Sequence, residues 1–148
     1  IVTGSRFLHS AIRGNRWVWD RGEVSIEVTI DELPTVVAER GPDAYLVTVR
    51  DTRPHVVAVS VVAKDGTLVV GAGRRTSINI VDRPLATLLW PVSEAHPNHS
   101  LLVDGTARLT GDGEWLVITP TSAILHRAGG RRRRLADDTS TDTDPAQP

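Results

Sequence analysis

The residues best equipped for chemistry lie between Gly71 and Ser77, in the run Gly-Ala-Gly-Arg-Arg-Thr-Ser. Two guanidiniums and a hydroxyl follow directly on an apolar stretch, and the two glycines let a ligand approach the backbone closely. Arginine offers paired N–H donors whose spacing matches phosphate oxygens. A helix starting here adds its free N–H groups and the positive end of its dipole. The chemistry implied is anion binding, with phosphate the first candidate. A plainer reading makes Arg74 and Arg75 a solvated pair and Thr76 a helix cap, and spacing alone slightly favours it.

Two familiar phosphate motifs do not fit. A dinucleotide fingerprint needs a third glycine at position 76, which is Thr76, and a βαβ context that is missing. A P-loop needs a lysine before the hydroxyl and a four-residue spacer; Arg75 precedes Thr76, and the spacer is absent.

The elements that must position this stretch can be read from pattern. A helix is expected from Thr29, with Thr29 as N-cap, Asp31 and Glu32 in the first turn, and Gly41 as the stop. Strands follow at 44–50 and 54–63. Asp65-Gly66 signals a tight hairpin, and 68–72 is its return strand. A short helix over 76–83 ends before Pro84. Further strands are expected at 85–92, 100–110 and 114–120, with a tight turn at Gly111-Asp112-Gly113 and a bulge or barrel corner at Gly105. Residues 120–130 close the domain. The fold class is therefore mainly β (α+β), a six-stranded antiparallel split β-barrel with two or so short helices.

Composition narrows the class. The chain has 148 residues, room for one sizeable core, and a formal net charge of −1, which argues against a nucleic-acid binder. It has no cysteine, so disulfide and thiolate-metal frameworks are excluded. No apolar run reaches the ~20 residues of a membrane helix, and no signal peptide is evident, so the expectation is a cytoplasmic protein. Residues 1–23 read as a loose extension, 24–130 as the domain, and 131–148, with four arginines and then Asp, Thr and Pro, as a disordered tail. Removing either extension is expected to change stability little.

The order of helix, "AYLVTVRDTRPHVVAV", Asp-Gly hairpin, "VVGAGRRTSINIVDRP" and "LATLLW" resembles the pyridoxamine-phosphate-oxidase-like split-barrel family. It is closest in character to the small actinobacterial members that bind FMN or the deazaflavin F420. The resemblance covers about residues 30 to 128. It implies a flavin- or deazaflavin-dependent oxidoreductase that transfers hydride at a site shared by two chains of a homodimer. It places the cofactor phosphate on Gly73, Arg74, Arg75 and Thr76, with Asn79 one turn further on. It places the ring along His55 to Val61, with Val57, Ala58, Val59 and Ser60 the main contacts. His55 and Ser60 stand where the oxidase proper carries an arginine and a lysine. That difference keeps an alternative open: a non-catalytic flavin- or haem-binding barrel, or one without a ligand.

The remaining candidates are weaker. His96-Pro97-Asn98-His99 has metal-ligand spacing but no third ligand, and Pro97 disfavours a helical pair, so no metal site is expected. His126 and Arg127 lie roughly where the family has a substrate-phosphate pair. Trp90 and Trp115 are expected in the core or at the dimer contact. Apolar strands such as "LATLLW" and "LLVDGTARL" favour a covering second copy.

Overall fold

The computed structural model describes residues 25–128, so the expectations for 1–23 and 131–148 lie outside the described residues. Eight strands and two helices follow in the order β1 (Ser25–Val28), α1 (Leu33–Arg40), β2 (Asp43–Arg50), β3 (Arg53–Ser60), β4 (Val62–Lys64), β5 (Thr67–Gly71), α2 (Arg74–Asp82), β6 (Leu85–Trp90), β7 (His99–Leu109) and β8 (Trp115–Arg127). All pairs are antiparallel, in the order β3-β2-β6-β7-β8-β5-β4, with β1 also on β8. The class expected from sequence holds, with eight strands instead of six.

One of the two extra strands, β4, comes from the division of an expected strand. The expected strand 54–63 divides at Val61, whose side chain is buried and whose N–H donates to the Pro42 carbonyl. β3 therefore pairs β2, while its continuation β4 turns away and pairs β5. The two ends of the sheet order are thus joined covalently through one residue, which curls the sheet into a barrel. A further difference is the length of β8. Pro120 suggested a strand end, but it faces Gly105 at a register shift, where the missing proline N–H disturbs no ladder. The strand runs on to Arg127, and its far half carries β1. At Gly105 an added Cβ would lie 2.5 Å from the Thr119 carbonyl oxygen, so glycine is required by close backbone approach.

The hairpin at Asp65-Gly66 has positive φ at both residues (50° and 79°), as a type I′ turn requires. Alternate residues fill the barrel: Leu46, Val70, Leu88, Leu101, Val103, Leu116 and Ile118 are all buried. Helix α1 starts later than Thr29. Thr29 accepts from the Glu32 N–H in a preceding turn, and Pro34 occupies the first helical turn, where its missing N–H costs nothing. Leu33 and Val37 of α1 are buried in the core. Trp90 is a core residue, with its Nε1 donating to the Gly41 carbonyl at 2.9 Å.

Candidate phosphate-binding site

Helix α2 begins at Arg74, two residues earlier than the pattern suggested. Gly73 is its N-cap, in extended conformation, so Thr76 is not the cap but lies inside the first turn. The first backbone bond of the helix runs from the Ser77 N–H to the Gly73 carbonyl. The N–H groups of Arg74, Arg75 and Thr76 are therefore the free ones at the helix start. Asp82 ends the helix, and Pro84 prevents its continuation.

The charge pattern here is unusual. A helix N-terminus favours carboxylates, yet the first turn of α2 contains no acidic residue and begins with two exposed arginines. Three outward N–H groups, the dipole and two guanidiniums add with the same sign. Nothing in the turn offsets that positive potential, and an anion would.

The four helical candidates divide by burial. Arg74 and Arg75 are exposed, whereas Thr76 and Asn79 are each 2% exposed and face the barrel. Asn79 Nδ2 donates to Thr48 Oγ1 at 3.0 Å, which fixes α2 to β2. Its Oδ1 is buried with no partner among the described residues. Asn79 thus holds the helix in place and does not reach a ligand in solvent.

The strand candidates divide by face. Register pairs His55 with Thr48, Val57 with Leu46 and Val59 with Ala44, and those three partners are buried. His55, Val57 and Val59 accordingly point inward and are half-buried. Ala58 and Ser60 point outward and are exposed, opposite Tyr45 and Asp43. A planar ring against the outer face meets only Ala58 and Ser60 of this set. His55 Nδ1 is buried without a partner among the described residues, beside the Thr48–Asn79 bond. Thr48 was missed in the sequence. Its only signal is a polar residue at the inward phase set by Ala44 and Leu46.

The histidine loop gathers no metal set. Among the described residues no group of three or more His, Cys, Asp or Glu can hold an ion. The His96 Nε2 lies 3.2 Å from the Glu39 carbonyl, and His99 begins β7 opposite Arg127.

No protein-family model matches the chain. An uncharacterized protein of Mycobacterium bovis is 37% identical over 102 residues, spanning 58% of this chain and 71% of that protein. The chain belongs to that protein's family. Solved structures share the architecture of this split barrel. A candidate pyridoxamine 5'-phosphate oxidase from Listeria innocua matches with a TM-score of 0.54 and 15% identity, over 65% of this chain and 96% of that one. A FAD-binding protein from Mesorhizobium loti matches with a TM-score of 0.56 and 14% identity, over 72% and 98%. The fold is the pyridoxamine 5'-phosphate oxidase-like split barrel.

Proposed function

We propose that the split barrel binds a flavin-type cofactor, FMN or F420, by its phosphate at the N-terminus of α2, and acts as an oxidoreductase at a site shared with a second copy. The observation that carries this reading is the uncompensated positive turn: Arg74, Arg75 and three free N–H groups with no acidic residue among them. The Listeria and Mesorhizobium proteins, a candidate pyridoxamine phosphate oxidase and a FAD binder, lend support through fold alone. When bound, such a cofactor supplies a ring that accepts or gives a hydride. The chain's part is to hold and orient it. Arg74 and Arg75 grip the phosphate, Gly73 leaves the backbone open beside it, and Asn79 keeps the helix seated on β2. Ala58 and Ser60 offer the outward surface for the ring.

A second reading is favoured by one observation. His55 and Ser60, where the oxidase has an arginine and a lysine, put no fixed cation on the outer face of β3, since His55 turns inward. A barrel of that kind binds a flavin or haem without turning it over.

The test is a titration of the protein with FMN and with F420, beside the Arg74→Ala/Arg75→Ala double variant. Each charge-assisted contact contributes roughly 1.5–3 kcal/mol, so the variant should lose about two decades of affinity or more. Its melting temperature without ligand should not fall, because exposed arginines add little to stability and the helix dipole disfavours their charge. Riboflavin, which has no phosphate, should bind poorly and equally to both proteins. Equal FMN and F420 affinities in wild type and variant would make the arginines a solvated pair and end the proposal. Reduction of the bound ring by a substrate separates the enzyme from the binder.

A further inference from the structure

Away from α2, the outer face of the barrel carries a second feature. β4, β5, β8 and β7 lie side by side, and their register sets Val62 beside Val69, Val69 beside Val117, and Val117 beside Arg108. The four side chains form one outward row, on the face opposite the buried Leu68, Val70, Leu116 and Ile118. Two residues along, Gly71 pairs with Trp115. A Cβ on Gly71 would meet nothing among the described residues within 4 Å, so among them open space adjoins the indole, which is 47% exposed. In the other direction Lys64 pairs with Thr67 at the hairpin turn. The result is a groove of about 540 Å³ with a valine floor, Trp115 at one end, and Arg108 and Lys64 at its margins.

The chemistry of this groove is specific. Its volume falls in the small-molecule range of roughly 300–1,000 Å³. Three valines and an indole favour a flat apolar body, which a bare phosphate lacks. Among the described lining residues two cations face one carboxylate, Asp65, so an anion is favoured over a cation.

We propose that this groove binds a planar aromatic anion, with its ring against Trp115 and the valine row and its acidic group beside Arg108, while Lys64 at the opposite margin adds to the positive potential. The site includes neither Arg74 nor Arg75 and stands independently of the flavin reading.

The test uses the 148-residue chain labelled with 15N and two probes of one ring system: 2-naphthoate, which is charged, and 2-naphthalenemethanol, which is not. The indole N–H signal of Trp115 is the one missing from Trp115→Phe. Naphthoate should move it more than the signals of the other three tryptophans, Trp17, Trp19 and Trp90. By calorimetry naphthoate should bind about tenfold tighter than the alcohol, the effect of one charge-assisted contact. Lys64→Ala/Arg108→Ala should erase that preference and leave the alcohol's affinity unchanged, while Trp115→Ala should weaken both probes. The Arg74→Ala/Arg75→Ala variant should bind naphthoate as wild type does. Equal affinity for the two probes overturns the proposal, as does loss of naphthoate binding in the α2 variant. So does an unmoved Trp115 signal, which would mean that another segment or a second copy covers the groove.

Discussion

Arg74 and Arg75 occupy helical positions where the dipole disfavours positive charge, and the first turn of α2 offers no carboxylate in return. Their chemistry was legible from residue type alone. Which helical side chains turn inward was not, because that phase is set by packing on β2 and β7 and leaves no mark in a nine-residue run. Thr76 and Asn79 therefore stood beside the arginines in sequence but separate from them in space. The Asn79–Thr48 bond makes a measurable prediction. Asn79→Leu strands a buried hydroxyl, and Thr48→Val strands a buried amide N–H, so each should cost about 1–3 kcal/mol. The double variant should cost less than the sum, because neither polar partner is then left alone. Urea unfolding of the four proteins gives the coupling, and strict additivity would show that the 3.0 Å contact contributes nothing.

Among the elements, Gly105 offers the sharpest test. Gly105→Ala drives a methyl against the Thr119 carbonyl and the Ile118 side chain, backbone and core that have little freedom to give. A loss of roughly 1–3 kcal/mol is expected, seen as a lower urea midpoint, while Gly111→Ala, with open space around it, should change little. The bulge at Gly105 and the turn at Asp65-Gly66 were legible because backbone geometry there demands one residue type. The second half of β8 was not, since Pro120 reads as a terminator until its bulged partner is known. The start of β7 carries a pH dependence. Burial, followed by Arg127, Arg40 and His126, lowers the His99 pKa from its ordinary 6.5. Below about pH 6.5 the unfolded chain takes a proton that folded His99 resists, so stability is full above that pH and falls as pH drops through the window beneath it. His99→Gln should flatten this part of the profile in melts taken between pH 7.5 and 5. An unchanged slope would assign the acid sensitivity to other groups.

For the whole molecule, one outward row decides the expected assembly. Ala58, Tyr45, Leu89, Leu102 and Ile124 lie side by side across β3, β2, β6, β7 and β8, none of them buried. An apolar stripe across five strands suits a second copy of the same surface. Light scattering should then give twice the 16.1 kDa chain mass at micromolar concentration, and Tyr45→Glu should shift it toward the single mass. A wild-type signal at the single mass would remove both the homodimer and the shared site. β8 has a consequence of another kind. It is the last strand described, yet it pairs with β1, β5 and β7 at once. During synthesis from the N-terminus, everything up to Trp115 leaves the ribosome with those three strands missing a neighbour. The barrel cannot zip up gradually as it emerges; it waits for β8, with exposed strand edges that invite chaperones in the interval. Nascent chains arrested at residue 114 should remain protease-sensitive, and those arrested after β8 has cleared the exit tunnel should become resistant in one step.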